Sequence, residues 1–173
     1  GRGIYDGINI AFNTGLLILF FLPNLDNPIQ FNIHRIKAIK KEIPKAIKTP
    51  IIIYHPAGGV DESLKIGDIV IGDKLVQHDY DAVGLNFEKG FIPNAGKYLE
   101  TDNYLSNLAY KQILPAEGNS IKNGIIATGD LFCTDPKKGA EINKEYGALC
   151  VEMEGASIGQ VCKLCEVPFL TIS

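Results

Sequence analysis

Residues 124–172 read GIIATGDLFCTDPKKGAEINKEYGALCVEMEGASIGQVCKLCEVPFLTI. Gly124 to Thr128 is a short apolar run of the kind that forms a buried strand. Asp135 followed by Pro136 predicts a helix N-cap with proline in the first turn, and Gly147 predicts the stop. Ala148 to Val151 predicts a second strand, a helix follows from about Glu154 to Leu164, and Phe169 to Ile172 begins a third strand. Strands alternating with helices at this spacing predict an α/β fold around a largely parallel sheet.

Upstream, Ile51-Ile52-Ile53 reads as a strand buried on both faces, and Ala57-Gly58-Gly59 as a tight turn after it. Gly67 to Gly72 predicts a short strand between glycines, with Leu75 to His78 another. Residues 79–97, carrying Gly84, Gly90, Pro93 and Gly96, read as a loop long enough to be functional. Thr101 or Asp102 caps a helix with Tyr104, Leu105, Leu108 and Ala109 on one side, and Pro115 and Gly118 close it. Before residue 50 the pattern is thinner. Leu16 to Leu22 reads as a buried strand or helix turn, and Pro23 to Pro28 as a loop. Ile33, Ile36, Ile43 and Ile47 recur among basic residues. That stretch, 35–48, reads as a solvated helix face rather than a docking helix for a membrane or an anionic partner.

Bulk properties narrow the function classes. The chain has 173 residues with a formal net charge of −3, 46% apolar and 21% charged. That balance gives no electrostatic case for nucleic acid. No apolar run is long enough to span a bilayer, so a cytoplasmic protein is expected. Cys162 and Cys165 share a helical stripe with Ile158 and Val161, which predicts inert core thiols rather than a redox or zinc pair. The first residue is Gly1 and the only methionine is Met153, which reads as a fragment of a longer chain.

Ligands of α/β sheets gather beyond the carboxyl ends of strands. Three such ends carry suggestive residues. Pro56-Ala57-Gly58-Gly59 brings bare backbone close to a ligand. Thr128-Gly129-Asp130-Leu131-Phe132 offers an aromatic face and free amides. Val151-Glu152-Met153-Glu154-Gly155 sets two carboxylates between a strand and a helix, where they either meet a ligand or complement the helix N-terminus.

The order of Ala57-Gly58-Gly59, Leu64 to Val70, His78-Asp79 with Asp81, Pro93, Thr128-Gly129-Asp130 with Phe132, Val151 to Glu154, Val161-Cys162 and Val167-Pro168-Phe169 resembles the 5′-methylthioadenosine/S-adenosylhomocysteine nucleosidases of the purine nucleoside phosphorylase superfamily. The match covers about residues 50 to 172. It implies a three-layer α/β sandwich with a central mixed, largely parallel sheet, here truncated. Residues 1–45 form an unmatched N-terminal segment and 46–173 a partial nucleosidase domain. The activity implied is hydrolysis of the N-glycosidic bond with release of adenine, as in methionine salvage and nucleoside catabolism. No cofactor and no metal are implied.

The resemblance also assigns roles. Glu154 would hold the ribose 2′- and 3′-hydroxyls, Met153 would pack beneath the ribose, and Phe132 would stack on adenine. The backbone of Cys133 would read the purine edge. Glu152, Ala57 and Gly58 would complete the substrate site. Leu85 and Pro93 would cover the 5′-alkylthio end from the partner subunit of a homodimer. Three departures stand out. Tyr54-His55-Pro56 replaces the family's Thr-Gly-Ser or Thr-Gly-Val, the glutamate that positions water is not found in residues 1–45, and the general-acid aspartate would fall beyond Ser173. The polypeptide as it stands is therefore expected to be inactive. The alternatives are a purine nucleoside phosphorylase on the same fold, or a non-catalytic nucleoside-binding or adhesion protein. Gln77-His78-Asp79 offers no arginine for phosphate, which favours water as the acceptor.

Overall fold

The computed structural model describes residues 8–13, 16–21 and 49–173. The strands are β1 (Ile8–Asn13), β2 (Leu16–Phe21), β3 (Ile51–Tyr54), β4 (Gly58–Gly59), β5 (Ile69–Gln77), β6 (Leu99–Glu100), β7 (Ile121–Thr128), β8 (Ala148–Glu152) and β9 (Phe169–Ile172). The helices are α1 (Asn103–Gln112), α2 (Pro136–Tyr146) and α3 (Gly155–Leu164). The strands join one mixed sheet in the order β1-β2-β3-β9-β5-β7-β8-β4, with β6 added to β5. Parallel ladders link β2 to β3, β3 to β9, β5 to β7 and β7 to β8. Antiparallel contacts lie at β1, β4 and β6, or are short, as between β9 and β5. The basic stretch 35–48 and the loop predicted at Pro23 to Pro28 lie outside the described residues.

Period-2 alternation divides the core between two helical layers. Ile53, Val70, Leu75, Ile126 and Cys150 pack with Ala156 and Cys162 of α3. Their neighbours point the other way. Ile52, Ile71 and Ile172 pack with Leu105, Leu108 and Ala109 of α1, and Val76, Ala127 and Val151 with Ile142 and Tyr146 of α2. Each such fully buried aliphatic side chain contributes roughly 1.5–3 kcal/mol against the entropy of ordering the chain.

The path from β3 ends at β4, yet only His55, Pro56 and Ala57 separate those strands in sequence. Such a short link spans at most about 3.3–3.6 Å per residue, so the sheet curls until β4 meets β8. The expected tight turn at Ala57-Gly58-Gly59 is therefore corrected. Gly58 and Gly59 form a strand paired with Val151 and Cys150. The two predicted strands at 67–72 and 75–78 are also corrected, being one strand with a bulge between Gly72 and Lys74. Asp68 anchors its start. Its carboxylate accepts from the amides of Ser120 (2.8 Å) and Lys65 (3.1 Å), and these bonds hold its pKa down at about 2.

Caps fall where local chemistry places them. Asp102, not Thr101, caps α1 by accepting from the Leu105 amide at 2.9 Å. Thr101 instead donates to the Gly72 carbonyl at 2.6 Å. Asp135 accepts from the Lys137 amide at 2.9 Å, and Gly147 ends α2. The 79–97 loop is built rather than loose: Val83–Leu85 form a 3-10 turn, Phe87 stacks on Phe91 at 5.2 Å, and Gly90 donates to the Tyr80 carbonyl at 2.8 Å.

The helix stripe containing the cysteines is rotated from its expected position. Gly155, Ala156, Gly159 and Cys162 are the buried residues of α3, while Val161 and Cys165 are exposed. Small residues win the inner face because the helix lies close on the sheet: a Cβ at Gly159 would sit 2.9 Å from the Phe169 ring. Burial pushes the Cys162 thiol up to about 11, leaving little thiolate at neutral pH. A thiol reagent applied to the native protein is expected to label Cys165 promptly and Cys162 only on unfolding. Prompt labelling of Cys162, read by peptide mass, would contradict the packing of α3. No helix of the described residues is long and apolar enough to cross a membrane.

Candidate functional site

Registers bring the three strand ends together. Gly58 pairs with Val151, and Thr128 pairs with Glu152. The Ala57-Gly58 backbone, the Thr128-Gly129 turn and the Glu152-Met153-Glu154 corner thus share one end of β7 and β8. Gly129 donates its amide to the Glu152 carbonyl at 3.0 Å. Glycine is required there, because a Cβ would lie 2.3 Å from His78 Nε2. His78 is itself buried, and desolvation lowers its pKa.

The two carboxylates have separate environments. The Glu152 side chain is 0% exposed. Its Oε2 accepts from the backbone amides of Glu154 and Gly155, both at 2.7 Å, and the Thr128 hydroxyl donates to its Oε1. Thr128 Oγ in turn accepts from the Ala156 amide at 2.8 Å. Glu152 and Thr128 therefore satisfy three amides at the start of α3, those of Glu154, Gly155 and Ala156. Glu154, at the N-cap position, makes no side-chain capping bond. It is half-buried, and its pKa is raised, first by desolvation and further by Glu152, while His55 works against the rise.

The remaining predicted residues lie around this corner or beyond it. Met153 is half-buried and adjoins Glu154 in sequence. Phe132 is 73% exposed on the segment leading out from Thr128-Gly129. Cys133 beside it is half-buried, its thiol 3.8 Å from the Asp135 carbonyl. Gly58 is exposed, and a Cβ there would meet Val151 at an ordinary 3.6 Å. Packing within the chain does not demand that glycine. Leu85, 72% exposed, and Pro93 lie on the 79–97 loop, which reaches α2 through Lys89 and Glu145 and α3 through Lys163 and the Ala95 carbonyl.

His55 is the residue that sequence reasoning noted only as a departure. It is 2% exposed, with Nε2 3.2 Å from Glu152 Oε2 and Nδ1 3.3 Å from Ser173 Oγ. Its only sequence signal is a polar side chain directly after an apolar strand.

This fold defines an α/β protein whose candidate site lies at the ends of β7 and β8. A family model described as the phosphorylase superfamily matches residues 50–173, and the chain belongs to that family. It is 37% identical over 153 residues to a 5′-methylthioadenosine/S-adenosylhomocysteine nucleosidase of Bacillus thuringiensis (strain Al Hakam), covering 80% of this chain and 66% of that protein. The Campylobacter jejuni nucleosidase of the same name superposes with a TM-score of 0.65 at 32% identity, over 82% of this chain and 61% of that one. A futalosine hydrolase mutant of Helicobacter pylori strain 26695 gives a TM-score of 0.63 at 30% identity, over 82% and 64%. The chain thus spans just under two thirds of the length of these relatives.

Proposed function

We propose that this chain carries the nucleoside-binding part of an N-glycosidic hydrolase acting on 5′-methylthioadenosine and S-adenosylhomocysteine, with release of adenine. The observation that supports this best is the division of labour between the two glutamates. Glu152 caps α3 and is enclosed, so the Glu154 carboxylate remains at the mouth of the site with no helix to cap. A half-buried carboxylate can accept from two neighbouring hydroxyls, the pattern a ribose 2′,3′-diol presents. Phe132 supplies a flat face for the purine, the backbone around Cys133 its edge contacts, and Met153 the floor under the ribose. Gly58 lets the backbone approach the ligand.

Residues 49–173 contain no arginine, which argues for water over phosphate as the acceptor, since phosphate sites favour bidentate arginine. Phosphate-independent adenine release in the complete enzyme is the corresponding reading. Leu85, exposed, and Pro93 lie on the 79–97 loop, and we assign them to the interface of a homodimer whose partner closes the 5′ end of the site. The protein is read as cytoplasmic. The nucleosidases set the 5′-alkylthio arm as the first choice of substrate. The futalosine hydrolase likeness makes that arm the feature to vary in ligand trials.

Glu154→Ala is expected to weaken 5′-methylthioadenosine binding by about 1.5–3 kcal/mol, the range for hydrogen bonds to a charged group. Calorimetric titration checks this, and unchanged affinity would remove Glu154 from the site. The pH dependence follows from the raised pKa. Ionised Glu154 is the acceptor, so affinity is full above its titration range and falls as pH drops through it, above the ordinary value of 4.5. Without ligand the sign reverses. The fold favours protonated Glu154, so that contribution to stability is complete below 4.5 and is lost as pH rises through the raised pKa.

A further inference from the structure

We infer that His55 is a positioning residue of this site, acting on Glu154 through the enclosed Glu152 that both of them touch; the inference rests on the nucleoside reading above. His55 directly follows β3, and its amide donates to the Ile172 carbonyl at 3.2 Å. Pro56 restricts it to extended backbone, which fixes the direction in which the ring leaves the strand. The ring then enters the buried corner where Glu152 Oε2 already receives the amides of Glu154 and Gly155.

A carboxylate oxygen presents only lone pairs, so the imidazole nitrogen 3.2 Å from it must carry a proton. On the other side of the ring, Nδ1 faces Ser173 Oγ at 3.3 Å and the Pro56 carbonyl at 3.4 Å. Both can accept a second proton's hydrogen bond, so the ring has acceptors on each side for the imidazolium form. Glu152, two residues away, opposes the ionisation of Glu154. Positive charge on His55 offsets that repulsion.

The groups facing Glu154 are accounted for. His55 comes from the β3–β4 link, Glu152 from β8, and the Met153 backbone from the corner itself. The Cys150 thiol, behind Ser173, is pushed up to about 12 by burial and stays neutral. Of these groups, His55 and the Met153 backbone favour the ionised form of Glu154.

The experiment compares the full chain with His55→Gln and His55→Phe. Glutamine retains an N–H donor but carries no charge; phenylalanine retains the ring volume alone. The Glu154 carboxyl titration is followed by carbon NMR without ligand, thermal unfolding checks that each variant folds, and 5′-methylthioadenosine is titrated across pH. In His55→Gln the Glu154 midpoint is expected to move up, and the pH at which binding fails to move up with it. At alkaline pH its affinity should stay within about threefold of the parent's, since Glu154 is then ionised in both. His55→Phe should show the same direction with a larger loss, about tenfold, as Glu152 loses its partner. An unmoved Glu154 midpoint in folded His55→Gln would overturn the proposal. A moved midpoint in a chain that binds no nucleoside would instead overturn the nucleoside reading, leaving the coupling of His55 to Glu154 established.

Discussion

The polypeptide of residues 1–173 is expected to bind 5′-methylthioadenosine yet to release adenine about 10²–10⁴-fold more slowly than a chain extended past β9 with the nucleosidase sequence. Departure of adenine requires a proton on the purine as the ribose becomes oxocarbenium-like, and a positioned general acid supplies that factor. The carboxylates at the corner are otherwise engaged. Glu152 holds two amides and a hydroxyl, and Glu154 is assigned to the ribose. Asp79 accepts from the Asp130 amide at 2.7 Å, and Asp130 itself is exposed on the rim. The resemblance read from the sequence implies, as an expectation, an acid that follows β9. Adenine release measured by chromatography on the two polypeptides checks this. Equal rates would show that a residue already described donates the proton, with Asp130 the first to substitute.

Glu152→Ala is expected to lower stability by about 3–5 kcal/mol, the cost of breaking a buried charged network by removing one partner. The substitution strands the amides of Glu154 and Gly155, the Thr128 hydroxyl and the His55 ring together. Unsatisfied buried donors cost about 1–3 kcal/mol each before relaxation. Against a total of about 5–15 kcal/mol for a domain, this brings the chain close to unfolding at ambient temperature. Urea denaturation followed by far-UV circular dichroism gives the value. A change below about 1 kcal/mol would mean that water or backbone movement replaces the carboxylate, and that the N-terminus of α3 is not held as described.

Much of this was legible from sequence because it depends on neighbours. Asp135-Pro136 and Gly147 fixed α2 through capping chemistry within one turn, and the β7-α2-β8-α3-β9 alternation appeared in apolar periodicity alone. What escaped was non-local. The bulge between Gly72 and Lys74 exists because β5 must serve β9 on one side and β7 on the other, so a continuous strand read as two. Gly58-Gly59 read as a turn because its partner, β8, lies about ninety residues downstream. The face of α3 was misjudged for a similar reason. Hydropathy favoured Val161 and Cys165, while the close approach of the sheet favoured Gly155, Ala156 and Gly159. At the site, the Glu152-Met153-Glu154 pattern announced two carboxylates, but only the fold separates the enclosed one from the available one. His55 gave almost no signal, since its partner Glu152 is nearly a hundred residues away.

The central claim is that Glu154 holds the ribose diol, and a thermodynamic cycle tests it most directly. Calorimetry on the parent chain and on Glu154→Ala, each with 5′-methylthioadenosine and with its 2′,3′-dideoxy analogue, gives four affinities. The substitution is expected to cost tenfold or more with the natural ribose and nothing beyond about twofold with the dideoxy analogue, because the two losses are one loss. Equal penalties with both ligands would contradict the claim, and would show that Glu154 supports the site without touching the hydroxyls.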